Sequence, residues 1–204
     1  MDIQTVYFVG SFPTESKCPT DNKPEIAFIG RSNVGKSSLL NMLCNQKDLA
    51  KVSGTPGKTR QLNYFVINEE WYLVDLPGYG FAKASKKAKA NYERMIEQYL
   101  LQRETLMCAM VLLDCRHELQ SIDREFINWL GSMHIPFVLV FTKLDKLKES
   151  ETEANMQRIK DQLLESWHSL PETFATSAKK KKGRDEILNF VESTIKTYQE
   201  RQVE

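Results

Sequence analysis

Three short stretches carry side chains whose types and spacing suit phosphate and purine chemistry. The first, Gly30-Arg31-Ser32-Asn33-Val34-Gly35-Lys36-Ser37, fits the pattern G-x-x-x-x-G-K-[ST]. Glycines in such a loop let the backbone wrap a phosphate chain with its N–H groups pointing inward, and a following helix N-terminus adds positive potential. Lys36 is then expected at the β- and γ-phosphates and Ser37 at Mg2+. The second stretch is Asp75-Leu76-Pro77-Gly78. An Asp in that setting holds Mg2+, usually through water, and the Gly78 N–H can meet a γ-phosphate. D-x-x-G is a common tetrapeptide, so its weight comes from its place at the end of an apolar run. In the third, Thr142-Lys143-Leu144-Asp145, the carboxylate can accept from guanine N1–H and the exocyclic 2-amino group together, while the Lys143 stem covers the ring. Adenine offers neither donor there, and a site built on such bonds rejects the analogue by about 10⁴-fold because Asp145 is left unpaired. Thr176-Ser177-Ala178, a weaker pattern, could present backbone N–H groups to guanine O6.

The elements that must position these groups alternate. Residues 25–29 form an apolar run ending at Gly30, and 36–44 reads as a helix. Residues 61–67 and 71–75 flank Asn68-Glu69-Glu70, a hairpin-length turn. Tyr92, Met95, Ile96, Tyr99 and Leu100 recur at helical spacing within 91–104, and 107–113 is a continuous apolar run that reads as a buried strand. A helix bearing Phe126, Trp129, Leu130 and Met133 follows, then a strand over 136–141. A helical stripe of Met156, Ile159, Leu163, Leu164 and Trp167 precedes a short strand at 173–175, and a last helix carries Ile187, Phe190, Val191, Ile195 and Tyr198. Strands separated by helices of this length predict βαβ units. The expected fold is α/β, three layers, with a mainly parallel sheet, one antiparallel edge strand from the hairpin, and helices on both faces. Residues 4–9 are a candidate for a further strand. The expected division is an N-terminal extension over 1–22, one domain over 23–200 and a tail at 201–204. In such sheets ligands sit at the C-terminal ends of the strands, where all these motifs fall.

Composition narrows the class. The chain has 204 residues with 28 Lys+Arg against 27 Asp+Glu, a formal charge of +1, which excludes a wholesale polycation but leaves room for a local basic face. No stretch approaches the roughly 20 apolar residues of a bilayer span, and the start, Met1-Asp2-Ile3-Gln4, has neither a basic n-region nor an apolar run. Cys18, Cys44, Cys108 and Cys115 form no C-x₂₋₄-C pair, and His117, His134 and His168 stand apart, so no zinc site is expected. The expectation is a cytoplasmic protein, monomeric, with no membrane partner.

Taken in order, the motifs resemble those of the translation-factor-related P-loop GTPases. Residues 24–41, then Thr55-Pro56-Gly57-Lys58-Thr59, then Asp75-Leu76-Pro77-Gly78-Tyr79-Gly80-Phe81-Ala82-Lys83, then Thr142-Lys143-Leu144-Asp145-Lys146, are similar to the EngB family, also called YsxC/YihA. The match runs from about residue 24 to 190. Members are bacterial GTPases associated with assembly of the large ribosomal subunit. The resemblance implies a P-loop GTPase fold, GTP and GDP as substrate and product, and Mg2+ held by Ser37, Asp75 and a switch threonine. Thr59, in the segment Gly57-Lys58-Thr59-Arg60-Gln61, is that threonine by resemblance, with Thr55 a competitor by spacing. The groups expected around the reacting phosphate are Lys36, Thr59, Gly78 and Asn33.

Signalling GTPases place a Gln after D-x-x-G to orient the attacking water, and here that residue is Tyr79. Paired with Asn33, Tyr79 suggests slow turnover or a K+ ion lying between the phosphates, a positive charge where an arginine finger would reach. The competing role for Asn33 is to pin the loop through hydrogen bonds, and Arg31 and Arg60 are candidate cis arginines. Lys58 and Arg60, then Lys83, Lys86, Lys87 and Lys89, then Lys179 to Lys182 with Arg184, place three basic clusters on motif-bearing loops. That asymmetry suits an RNA phosphate backbone, and the expected partner is ribosomal RNA on the large subunit or its precursor. A GTP-loaded binding module with incidental hydrolysis is the alternative reading, and a P-loop kinase for a small molecule is a third.

Overall fold

The computed structural model describes residues 1–49, 61–80 and 86–202. In chain order the elements are β1 (Val6–Phe12), β2 (Glu25–Gly30), α1 (Lys36–Leu43), β3 (Leu62–Ile67), β4 (Trp71–Asp75), α2 (Lys86–Gln102), β5 (Leu106–Asp114), α3 (Ser121–Ser132), β6 (Phe137–Thr142), α4 (Glu149–Leu164), β7 (Thr173–Ala175) and α5 (Arg184–Arg201). The strands form one sheet in the order β1-β3-β4-β2-β5-β6-β7. Strands β4, β2, β5, β6 and β7 are parallel, while β3 runs antiparallel to both β4 and β1. The expected α/β sheet with an antiparallel edge is what the chain forms.

Alternation along the central strands explains the layering. Ala27 and Ile29 of β2, with Ala109, Val111 and Leu113 of β5, face a core closed by Met95, Ile96 and Tyr99 of α2, Ile127 and Leu130 of α3, and Ile159 and Leu163 of α4. Ile26 and Phe28, with Met110 and Leu112, face the other core, closed by Leu39, Leu40 and Leu43 of α1 and Ile187, Leu188 and Val191 of α5. Strands covered on both faces read as continuous apolar runs, which is why their sequences lack a polar face.

Several boundaries move by a residue or so, and two differ further from those read in the sequence. Strand β1 spans residues 6–12 rather than 4–9. The backbone amides of Gln4 and Thr5 donate to the Asn68 side chain instead of to a strand, at 2.8 and 3.1 Å. A shift of register between Phe8 and Gly10 then carries pairing on to Phe12 opposite Leu62. Helix α2 starts at Lys86, earlier than the apolar stripe. Its first turns, Lys86-Lys87-Ala88-Lys89-Ala90, are strong helix formers without apolar periodicity. The β3–β4 turn over Asn68 to Glu70 fits its residues: Asn68 and Glu69 both take positive φ, 50° and 60°, and Glu70 N–H donates to Ile67 O at 2.9 Å to close it.

At the end of the sheet away from the motifs, Glu25 is fully buried. Its carboxylate accepts from Arg103 Nε at 2.7 Å, Thr105 Oγ1 at 2.8 Å, Tyr64 OH at 2.9 Å and Tyr99 OH at 2.8 Å. The network ties β2, β3, α2 and the start of β5 together far in sequence. Removing one partner of a buried pair leaves an uncompensated charge and costs about 3–5 kcal/mol. Arg103→Met should therefore lower stability by about that amount in urea unfolding, with guanine-nucleotide affinity of the folded fraction unchanged. A loss under 1 kcal/mol would show that the network is relaxed by solvent.

Candidate functional site

The phosphate-type loop leaves β2 at Gly30 and enters α1 at Lys36. A Cβ on Gly30 would lie 2.9 Å from the Leu112 carbonyl oxygen and 3.0 Å from Val34 Cγ1, so a side chain there would push β2 off β5. Asn33 and Gly35 take positive φ, 64° and 108°, and Gly35 is the residue flanking the helix start. Asn tolerates that region better than most residues, and Gly takes it freely. The curl is closed by Val34 N–H donating to Arg31 O at 3.2 Å and by Thr142 Oγ1 donating to Val34 O at 2.6 Å. Thr142 thus braces the loop from the end of β6. The Ser32 hydroxyl oxygen is buried and has no hydrogen-bond partner among the described residues.

The second loop follows β4 alongside. Leu76 N–H donates to Phe28 O at 3.0 Å, and Tyr79 N–H donates to Gly30 O at 3.3 Å. Leu76, Pro77 and Gly78 are buried. A Cβ on Gly78 would stand 2.8 Å from Gly30 O and 3.2 Å from Ser32 N, so the two loops approach backbone to backbone only because residue 78 has no side chain. Lys36 Nζ donates to Asp75 Oδ1, and both side chains are largely buried. Asn63 Nδ2 lies 3.5 Å from Asp75 Oδ2. Ser37, one residue on from Lys36, is half-buried. A hydroxyl and a carboxylate are hard oxygen donors of the kind Mg2+ prefers.

Tyr79 turns away from this edge. Its ring packs on Phe126 of α3 with centroids 4.6 Å apart, and its hydroxyl donates to Asp123 Oδ1 at 2.9 Å. Arg31 Nε donates to the other Asp123 oxygen, also at 2.9 Å. Burial raises the Asp123 carboxyl, against the pull of Arg31 and of the Tyr79 hydroxyl, and burial with the adjoining carboxylate pushes the Tyr79 phenol well up. Arg31, a candidate cis arginine by sequence, is thereby held to α3.

At the far end of the same edge Asp145 and Ser177 meet. Ser177 Oγ donates to Asp145 Oδ1 at 2.8 Å, and Lys180 N–H donates to Ser177 Oγ at 3.2 Å. Desolvation pushes the Asp145 carboxyl up, but the Ser177 bond and Lys146 and Lys179 outweigh it, so it stays below its ordinary value. Leu144 N–H donates to Thr176 O at 3.3 Å, and Thr176 Oγ1 to Phe141 O at 2.8 Å, which locks the two loops together. Ala178 is half-buried beside them. A Cβ on Gly183 would lie 2.5 Å from Ala175 O, so the turn that follows closes tightly under this end. Lys143 has φ of 64°. Its Nζ donates to Asn33 O and, at 2.9 Å, to Asp114 Oδ2.

The structure therefore brings Gly30 to Ser37, Asp75 to Gly78, Thr142 to Asp145 and Thr176 to Ala178 to one edge of the sheet. Gln61 is exposed just before β3. Gly57, Lys58, Thr59 and Arg60, with Thr55, lie outside the described residues, as do Phe81 to Lys83. Among the described residues no group of three or more His, Cys, Asp and Glu side chains could hold a metal, and all four cysteines are buried and unpaired.

Asp114, at the end of β5, was not singled out in the sequence, although a carboxylate closing a buried strand was its signal. It accepts from Arg116 Nε at 2.9 Å and Nη2 at 2.8 Å as well as from Lys143. Burial would raise this carboxyl, but the bonds from Arg116 and Lys143 prevail and hold it at about 2. An acid lowered on folding stabilises above its unfolded pKa, near 3.9, and loses that contribution as pH falls through its folded value. The shift corresponds to about 2 kcal/mol. Asp114→Asn should cost about that much at pH 7, and the difference from the parent chain should shrink between pH 4 and pH 2 in thermal unfolding. A difference independent of pH would mean that packing, not charge, is lost.

A family model described as "50S ribosome-binding GTPase" matches residues 25–143, and one for the "Elongation factor Tu GTP binding domain" matches residues 92–197. A relative from Christiangramia forsetii, named as a GTP-binding protein EngB, is 52% identical over 192 residues, which are 94% of this chain and 97% of that protein. The crystal structure of another EngB covers 85% of this chain and 99% of its own at a TM-score of 0.67 and 24% identity, a likeness of fold. A crystal structure of Era with MgGDPNP and nucleotides 1506–1542 of 16S ribosomal RNA covers 82% of this chain and 55% of its own, at a TM-score of 0.63 and 25% identity.

Proposed function

The chain belongs to the EngB family of GTP-binding proteins, and from that premise we propose that it is a slow GTP-hydrolysing switch that assists assembly of the large ribosomal subunit. The observation that carries the reading is the single edge shared by two unlike grips, a phosphate-sized backbone curl under Lys36 and an ionised Asp145 fixed by Ser177. The curl grips the tail of the nucleotide through its amides and the Ser32 hydroxyl, which has no partner among the described residues. Gly78 brings its N–H within reach of the same loop for the γ-phosphate. Asp145 selects guanine, and Thr176 to Ala178 back it.

Mg2+ fits this edge, held by Ser37 and Asp75 with Thr59 as the third protein group. When bound it neutralises phosphate charge. Lys36 sits on Asp75, so nucleotide entry exchanges one charge-assisted contact for others rather than exposing a bare ammonium in a dry site. Asn33 is exposed and its backbone carbonyl accepts from Lys143; among the described residues its side-chain amide has no hydrogen bond, and its amide oxygen is the proposed K+ donor. A fixed positive charge there would do part of what an arginine finger does, worth about 10³–10⁵ in rate when supplied by Arg.

The exposed run Lys179 to Lys182 flanks the guanine end. This run is the described part of the proposed surface for ribosomal RNA backbone; the other basic clusters lie partly outside the described residues. The reading of the chain as a GTP-loaded binding module keeps one specific support. Tyr79 stands where a water-orienting Gln would be, and its hydroxyl is spent on Asp123.

Asp145→Asn should move preference from guanine toward xanthine nucleotides by at least 100-fold in competition binding, because the amide NH2 opposes the guanine 2-amino donor but can donate to the xanthine 2-oxo group; unchanged preference would remove Asp145 from base recognition. Turnover of GTP should rise in K+ over Na+ buffer, and rise again with purified large subunits. Changing Lys179 to Lys182 all to Ala should weaken cosedimentation with those subunits and lower the salt slope by about 3, at about 0.7–0.9 per phosphate contact. Equal turnover in both salts would end the K+ role, and subunit binding indifferent to salt would end the RNA surface.

A further inference from the structure

Outside the nucleotide edge, an apolar groove of about 170 Å³ opens between α2 and α3. Its floor is Ile96 of α2, Ile122, Phe126 and Trp129 of α3, and the Tyr79 ring. The rings form a ladder: Tyr79 lies on Phe126, and Phe126 stacks on Trp129 at 5.9 Å between centroids. An apolar space of about 150 Å³ is enough for a benzene ring, so this one takes a single aromatic or branched side chain and no folded module.

The rim has the opposite character. Glu93, Glu97 and Glu125 stand around the mouth and are exposed. Lys89 lies 3.7 Å from Glu93, a loose contact within α2. Glu97 and Glu125 have no ion pair among the described residues, and the nearest cation on α3, Arg124, is turned to Glu165 at 2.9 Å. Three carboxylates around a small apolar slot repel phosphate, so this face suits a different class of partner from the lysine-rich guanine end.

We propose that the α2–α3 groove docks a basic protein segment, one apolar side chain seated on the Phe126–Trp129 ladder and flanking Lys or Arg side chains on Glu97 and Glu125. The proposal goes beyond nucleotide binding and RNA contact and stands without either. Charge complementarity supplies selectivity of partner, and the aromatic slot supplies the anchor around which such interfaces concentrate their energy.

The test uses the full chain and a fluorescein-labelled amphipathic 14-residue peptide with one central Phe, Leu on the same face and Lys on the other. Anisotropy should report saturable binding, weakened at least tenfold by Glu97→Lys with Glu125→Lys and at least fivefold by Trp129→Ala. The same peptide with Glu for every Lys, or Ala for Phe, should bind at least tenfold more weakly. GDP affinity, measured on each variant, should match the parent and so certify the fold. No binding, binding equal in the charge-reversed peptide, or binding untouched by the double charge reversal would overturn the proposal. So would a chain that dimerises through this groove at the concentrations used, or single-stranded RNA competing the peptide off with GDP-loaded protein.

Discussion

Strand β2 is buried throughout and pairs in parallel with a strand on each side, with β4 over Glu25 to Phe28 and with β5 along its length past one shift of register after Glu25. Five parallel strands packed in this way must all end at one edge, and β2 sits where the connections part. The chain from β2 passes beyond β4 to build β3 and then returns to β4, while β5, β6 and β7 extend the other way. A crevice at such a switch point is unavoidable. What this chain adds is proximity: glycine at 30 and at 78 lets two backbones touch across the crevice, where any Cβ would hold them apart.

The charges at that edge are mutually engaged. Lys36 contacts Asp75, Lys143 spans Asn33 O and Asp114, and Asp145 is fixed by Ser177. In a partly dry setting each of these groups would be costly alone. Their pairing keeps them aimed, so that donors and acceptors along the edge are already in place. Such preorganisation is where binding energy is conserved. The bracing is long-range: Thr142, from β6, holds the Val34 carbonyl, and Lys143 reaches the next residue back. The loop after β2 and the loop after β6 are thus one mechanical unit.

Much of this was legible in the sequence, because apolar runs and turn residues report locally on strand ends. The three motifs fell after strands as the pattern required, and β7 at 173–175 was read to the residue. What escaped depends on partners far along the chain. Glu25 reads as an ordinary charged strand start, yet it is enclosed by Tyr64, Tyr99, Arg103 and Thr105. Asp123 reads as an acid in the first turn of a helix, yet it receives Arg31 and Tyr79 from two motif loops. Periodicity carries no information about which distant donor will meet a buried carboxylate. The start of α2 escaped for another reason, since Lys and Ala favour helix without marking a face.

Tyr79 shows how a motif position can be reassigned by packing. A residue directly after D-x-x-G stands beside the γ-phosphate in GTPases that use a Gln there. Here the side chain at that place is nearly inaccessible, stacked on Phe126 and bonded to Asp123, which in turn binds Arg31 of the phosphate loop. Withdrawing the Tyr79 ring would expose a large aromatic surface and strip a hydrogen bond from a buried carboxyl, a cost of several kcal/mol. The loop is therefore anchored to α3 through its own residue rather than left free to carry a catalytic amide. The same anchor makes α3 the structural neighbour of the phosphate loop.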